Sequence, residues 1–185
     1  ALAHRLRKER FSRGAIAFER PEVKVETDEK GKPVNIHVKK QLDAHWLIEE
    51  FMLLANREVA EFINRKKDQK TGKIPAFVYR VHEPPAEDKI AAFRNFVHHF
   101  GYEMKKTKTV RDYARELNKL LETAREKPEA GGIVIMALRS MARAHYTTNN
   151  VGHYGLSFEH YTHFTSPIRR YSDLMVHRLL SHYLG

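Results

Sequence analysis

Residues 161–173 carry the strongest structural signal in the chain, and they read Tyr161-Thr-His-Phe-Thr-Ser-Pro-Ile-Arg-Arg-Tyr-Ser-Asp173. Serine is a favoured N-cap and proline a favoured first helical residue, so Ser166 and Pro167 predict that a helix begins there. Arg169 and Arg170 then fall in the first turn, where free N–H groups and the helix dipole already make the backbone electropositive. Each arginine costs roughly a few tenths of a kcal/mol in that place. Because a bound anion would remove this cost, the pair predicts a phosphate site.

The same helix also offers a structural explanation for these arginines. Asp173 lies four residues after Arg169, and His177 lies four residues after Asp173, so the three side chains can form a ladder on one helix face. Such surface ladders contribute little to stability. Residues that break local rules cluster at functional sites, and we therefore favour the phosphate site.

The hydrophobic pattern outside this stretch predicts an α+β fold in which helix dominates. Alternating residues at 23–27 and 34–38 flank a turn-forming segment, which predicts a β-hairpin with one buried face. Helical spacing predicts a long amphipathic helix from about Ala44 to Asn64, with Asp43 as its N-cap. The remaining elements are a short strand over 75–81 and helices around 90–100, 110–121 and 133–141.

Composition limits the class of protein and of partner. The chain has 185 residues, enough for one domain, and a net charge of +10, which points to a polyanion such as nucleic acid or, alternatively, to scattered surface charge. No cysteine is present, which excludes disulfides, cysteine-bound zinc and a thiol nucleophile. No apolar run reaches the roughly 18 residues that a membrane span needs, so we expect a cytoplasmic protein without a membrane partner. The histidines, among them His153 and His163, lack metal-binding spacing, and no metal site is predicted.

The segment from His163 to Arg178 resembles the signature of the RNase II/RNase R family of processive 3′→5′ exoribonucleases, and most closely its bacterial RNase R branch. The catalytic module of this family is the RNB domain. Further stretches fit that domain in the same order, at 13–18, 47–56, 75–85 and 139–141. The resemblance therefore covers nearly the whole chain.

The resemblance implies roles for five residues. The first arginine of the family's Ser-Pro-Ile-Arg motif contacts phosphate near the scissile bond and is required for catalysis, which here is Arg169. We assign its neighbour Arg170 to binding of the RNA backbone or, alternatively, to structure, and Ser166 to RNA binding. A glutamate of the Ile-Glu-Glu motif reaches the 3′-terminal nucleotide and matches Glu49, and an aromatic residue that stacks on the terminal base matches Phe18. The alternatives are a solvated glutamate and a core phenylalanine.

The resemblance also implies what the chain lacks. The family holds magnesium with an aspartate cluster that precedes the matched segment, whereas the aspartates here are isolated. We therefore expect residues 1–185 to be the C-terminal part of an RNB domain truncated at both ends, inactive alone and prone to self-association through exposed core surface. The expected parent hydrolyses single-stranded RNA to 5′-mononucleotides with magnesium. The alternative is a non-catalytic RNA-binding module.

Overall fold

The computed structural model describes residues 2–18, 22–39, 41–66 and 71–185, and these form a helix-rich α+β fold, as predicted. None of the described helices is both long and apolar enough to cross a membrane. In chain order the elements are α1 (Leu2–Ser12), β1 (Glu22–Thr27), β2 (Pro33–Lys39), α2 (Asp43–Arg65), β3 (Tyr79–Val81), α3 (Glu87–His98), α4 (Val110–Ala124), α5 (Ala130–Ser140), β4 (His145–Thr147) and α6 (Tyr171–Leu184).

Two hydrophobic clusters form the core of the described structure. The first joins α3, α4 and α5 through apolar residues such as Phe93, Leu117 and Ile133. The second joins α2, β3 and α6, with Ile63 and Val176 among its fully buried members. Each such side chain contributes roughly 1.5–3 kcal/mol on burial. The second cluster is the one that brings residues distant in sequence to the 161–173 segment.

The helix α2 begins one residue away from the predicted cap. Asp43 is its first helical residue and Leu42 is the N-cap, so the prediction of Asp43 as N-cap is wrong. The His45 side chain accepts the Leu42 N–H at 3.0 Å and occupies the capping role. The Asp43 carboxylate instead lies in the first turn, where its negative charge interacts favourably with the positive end of the helix dipole.

The strands β1 and β2 form the predicted antiparallel hairpin, but its apolar face is exposed. The pairs Val23–Val38 and Val25–Ile36 stand directly opposite each other, so these side chains share one face as their alternation predicts. That face remains 53–67% exposed at these four residues, and the prediction of a buried face is wrong for the described structure. Alternation specifies which residues share a face, whereas burial needs a second element to cover it.

Candidate nucleic-acid interface

The loop of residues 161–170, which we call the signature loop, is bound along one side to β3. The Arg80 N–H donates to the Tyr161 carbonyl at 2.9 Å. The Thr162 hydroxyl donates to the Val78 carbonyl at 2.6 Å, and Thr162 is fully buried. These bonds satisfy polar groups that burial would otherwise penalise, so they fix the start of the loop.

Asn56 of α2 holds the middle of the signature loop. Its side-chain oxygen accepts the N–H groups of Phe164 at 2.9 Å and Thr165 at 3.2 Å, and its amide nitrogen donates to the Tyr161 hydroxyl at 3.1 Å. Asn56 is only 3% exposed. Sequence reasoning did not assign it a role, although a polar residue on the buried stripe of an amphipathic helix is a signal that could have found it.

The end of the signature loop differs from the prediction. The helix α6 begins at Tyr171 and not at Ser166, with Arg170 as N-cap in extended conformation. Residues 166–170 form a turn in which the N–H groups of Arg169 and Arg170 donate to the Ser166 carbonyl at 3.3 and 3.1 Å. Ser166 is therefore a turn residue, not a cap, and both arginines precede the helix.

A buried carboxylate explains this late start. One oxygen of Asp173, which is 0% exposed, accepts the Ser166 N–H at 2.8 Å and the Arg170 guanidinium at 3.0 Å. Asp173 lies in the first turn of α6, where it complements the positive end of the dipole. The predicted pair of Arg169 with Asp173 is therefore wrong, because the turn brings Arg170 to the carboxylate instead. His177 does not extend a ladder; its ring stacks on Phe164 and its Nε2 contacts the Phe164 carbonyl at 2.9 Å.

The two arginines consequently differ in their surroundings. Arg170 is half-buried and paired with Asp173, and its Nε is buried without a hydrogen-bond partner among the described residues. Arg169 is exposed, and no hydrogen bond or ion pair joins its side chain to the part of the chain that the structure describes. The turn thus presents one guanidinium to solvent while the other helps to hold the loop.

His163 lies in the same loop and contacts the β3–β4 sheet. Its Nδ1 is 2.7 Å from the Tyr146 hydroxyl, and the guanidinium of Arg80 lies 4.6 Å from the centre of the Tyr146 ring. Burial and the nearby Arg170 guanidinium lower the pKa of His163 to about 4. The ring is therefore neutral at pH 7, and a positive imidazole plays no part in the site at that pH.

His82 and His153 lie next to the signature loop and help to hold residues 152–156 in place. The His82 Nδ1 accepts the Gly155 N–H at 3.0 Å, and its Nε2 contacts the Ala142 carbonyl at 3.0 Å. A Cβ atom at Gly155 would lie 2.9 Å from the His82 Nδ1, which accounts for glycine at this position. Burial, with His82 beside it, lowers the pKa of His153 to about 3.

The two remaining predicted residues lie on other elements. Glu49 is exposed on α2, with an oxygen 3.5 Å from Arg10, whereas its neighbour Glu50 is 3% exposed and forms a two-point ion pair with Arg10. Phe18 is half-buried against the α3–α5 cluster. Just before it, Asn118 binds the Ala15 carbonyl at 2.8 Å and the Ala17 N–H at 2.9 Å. The structure joins Ser166 and Arg170 through Asp173, and no described contact joins Glu49 or Phe18 to them.

The fold and the site define a basic α+β domain with an exposed arginine on a loop that two buried side chains hold in place. The RNB domain family matches residues 1–185, and the chain belongs to this family.

Several proteins are similar to this chain in sequence or in structure. The chain is 44% identical over 184 residues to Ribonuclease R of Thermotoga maritima, a match that covers 99% of this chain and 25% of that protein. The solved structure of Mycoplasma genitalium RNase R in complex with ribose-methylated single-stranded RNA is similar, with a TM-score of 0.84 and 32% identity over 99% of this chain and 27% of that one. The structure of yeast Ssd1, described as a pseudonuclease, has a TM-score of 0.58 and 32% identity over 74% of this chain and 16% of its own. The chain spans about a quarter of the length of the Ribonuclease R relatives that it matches.

Proposed function

We propose that residues 1–185 form the C-terminal part of the RNB domain of a cytoplasmic 3′→5′ exoribonuclease that degrades single-stranded RNA processively to 5′-mononucleotides. The observation that carries the proposal is the presentation of Arg169. This guanidinium is exposed on a loop that two buried side chains, Asn56 and Asp173, fix to α2 and α6. The similar Mycoplasma genitalium RNase R was solved with single-stranded RNA, which supports RNA as the ligand.

Arg169 is the proposed catalytic residue. Hydrolysis of a phosphodiester builds negative charge on the phosphate oxygens in the transition state, and a preorganised guanidinium stabilises that charge. The turn at Ser166 fixes the backbone of Arg169 through its own N–H group. Such preorganisation reduces the reorganisation that binding would otherwise require.

Arg170 and Ser166 are proposed to bind the RNA backbone beside Arg169. One terminal nitrogen of the Arg170 guanidinium donates a hydrogen bond to Asp173, but the Nε lacks a hydrogen-bond partner within the described part of the chain. A buried donor left unpaired is costly, and a phosphate oxygen would satisfy it. The Ser166 hydroxyl lies at the same turn and is proposed as a weaker contact.

Glu49 and Phe18 are proposed to contact the 3′-terminal nucleotide. A carboxylate accepts hydrogen bonds from ribose hydroxyls and so favours RNA over DNA. Of the two adjacent glutamates, Glu49 is the exposed one, while Glu50 is occupied by Arg10. Phe18 packs against the α3–α5 cluster yet stays partly exposed, which leaves part of its ring for a base.

Magnesium is the proposed cofactor of the full-length protein, but the described residues of this chain do not fit a site for it. Among the described residues, no group of three or more His, Asp or Glu side chains is placed to hold a metal ion. We propose that aspartates outside residues 1–185 bind the metal ion, and that the chain alone is inactive. An exposed apolar face such as that of the β1–β2 hairpin would let the isolated chain associate with itself.

The test is the Arg169→Ala variant of the full-length protein, assayed on an RNA with a single-stranded 3′ end. Loss of a charge-stabilising donor raises the barrier on the order of 2–4 kcal/mol, so we expect a rate about 30- to 1000-fold lower. Arg115→Ala is the matched control, because Arg115 is exposed on α4 and paired with Asp112. Wild-type rates for a folded Arg169→Ala variant would refute the catalytic role.

A non-catalytic RNA-binding module is the second candidate, and the similarity to the yeast pseudonuclease favours it. Such a protein would bind RNA with an affinity that falls with salt, by about 0.7 of a power for each phosphate contacted. It would release no nucleotides at any magnesium concentration. Release of 5′-mononucleotides by the wild-type full-length protein decides between the two.

A further inference from the structure

We propose that Arg80, Tyr146 and His163 form an additional RNA subsite. This subsite binds one phosphate and one base of the same RNA strand that Arg169 is proposed to contact. This inference rests on the proposed function, and it adds three residues to the RNA-binding set. It follows from the way in which the β3–β4 sheet and the signature loop meet.

The first observation is the geometry of Arg80. Arg80 and Tyr146 stand directly opposite each other on β3 and β4, and the guanidinium lies 4.6 Å from the ring centre. Stacking on an aromatic face fixes the guanidinium plane and leaves its N–H donors at the edge, where a phosphate can be bound. No carboxylate pairs with Arg80 among residues 2–18, 22–39, 41–66 and 71–185.

The second observation is the fixed and accessible ring of Tyr146. Its hydroxyl lies 2.7 Å from the His163 Nδ1, and the two rings meet edge to face with centres 5.6 Å apart. His163 in turn contacts Tyr161, whose carbonyl is bound to the Arg80 backbone. Tyr146 is nevertheless 39% exposed. A ring that is held in place and open to solvent suits base stacking, which does not depend on sequence.

The third observation is the charge around His163. Three guanidinium groups, those of Arg80, Arg169 and Arg170, act on this ring, and Asp173 is the carboxylate that opposes them. Asp173 is already paired with Arg170. Arg80 and Arg169 have no carboxylate partner among the described residues, so their positive charges stay available to a polyanion with repeated phosphates.

The experiment measures RNA binding by the full-length protein in magnesium-free buffer with a chelator, using fluorescently labelled oligoadenylate over a range of salt. Arg80→Ala should reduce the slope of log affinity against log salt by about 0.7, since one phosphate contact is lost. Tyr146→Ala should weaken binding about 5- to 150-fold, the range that corresponds to the loss of one stacked base. Arg115→Ala, again the matched control, should leave both quantities unchanged.

A second set of oligonucleotides maps the base. One abasic nucleotide is placed at successive positions from the 3′ end, and at one of these positions the effect of Tyr146→Ala should disappear. Tyr146→Phe keeps the ring and should bind nearly as the wild type. If the alanine variants fail to fold, Arg80→Gln and Tyr146→Leu keep bulk at the two positions and provide the same comparison.

The outcomes separate this inference from the proposed function. Unchanged affinity and salt slope in the folded Arg80 and Tyr146 variants would overturn the subsite, while the Arg169→Ala result would still stand. Sensitivity to Tyr146→Ala at every abasic position would also overturn it, because the ring would then act on the fold and not on a base. Absence of RNA binding by the wild-type protein would overturn both proposals.

Discussion

Arginine serves different purposes in two regions of this molecule. At the contact between α1 and α2, the Arg10 guanidinium is buried against Glu50, and Glu49 lies nearby. At the signature loop and the β3–β4 sheet, Arg80 and Arg169 have no carboxylate partner within the described structure, while Arg170 is paired with Asp173. The first region uses guanidinium groups to join helices, and the second keeps two of them available.

The comparison shows why net charge alone is a poor guide to a binding surface. The chain carries +10 overall, but Arg7 and Arg10 of α1 lie beside the carboxylates of α2. A guanidinium that is already paired and buried is not available to a ligand, whereas an unpaired and accessible one is. The predictions below examine each side of this distinction.

The largest effect is expected on the structural side, from Arg10→Ala. The substitution leaves the buried Glu50 carboxylate without its main partner, and breaking a buried ion pair typically costs about 3–5 kcal/mol. Denaturant unfolding measures the change. Arg13→Ala is the control, because its pair with Glu9 is exposed and is worth about 0–1 kcal/mol. Equal losses in the two variants would contradict the assignment of Arg10 to structure.

Asn56→Ala is expected to affect both stability and RNA degradation. It removes the side-chain oxygen that accepts the Phe164 and Thr165 N–H groups. The free energy of unfolding should fall by about 1–3 kcal/mol for each N–H group that stays buried and unpaired. If Asn56 acts by positioning Arg169, the double variant Asn56→Ala with Arg169→Ala should degrade RNA at the rate of Arg169→Ala alone. Asn150→Ala is a suitable control, since that amide binds the Glu159 carbonyl and the Gly152 N–H. Fully additive rate losses in the double variant would show that Asn56 does not act through Arg169.

Acid should destabilise the region around the signature loop. The pKa of His153 is lowered to about 3 and that of His163 to about 4, each from 6.5, mainly by burial. Between pH 6.5 and pH 4 the unfolded chain therefore binds more protons than the folded one, and stability falls as pH falls. We expect a lower Tm at about pH 4.5 than at about pH 6.5. His153→Gln should reduce this pH dependence, and an unchanged slope would contradict it.

The smallest effect on stability is expected from Arg169→Ala and Arg80→Ala. Neither side chain pairs with a carboxylate in the described residues, so the free energy of unfolding should fall by at most about 0.5 kcal/mol for Arg169→Ala. For Arg80→Ala it should fall by about 1 kcal/mol, because the contact with the Tyr146 ring is also lost. Thermal melting in the absence of RNA measures it. A loss as large as that of Arg10→Ala would remove the distinction between the two regions.

Local sequence signals predicted most of the elements but not their surroundings. The spacing of apolar residues predicted a helix from about Ala44 to Asn64, and α2 runs from Asp43 to Arg65. Alternation predicted the β1–β2 hairpin and which of its residues share a face. The predicted start of α6 lies four residues too early, because Ser166 and Pro167 are good helix starters and the competing bond to Asp173 is a property of the folded turn.

By itself the sequence determined the family, the helix-rich α+β class and the segment that carries the arginines, because these depend on residue type and on spacing along the chain. Only the tertiary structure decided which arginine is paired, that Asn56 holds the loop, and that Arg80, Tyr146 and His163 meet. These contacts join residues between 3 and 108 positions apart. Spacing along a helix allows either arginine to reach Asp173, and only the packed turn selects Arg170, since the buried carboxylate also binds the Ser166 N–H.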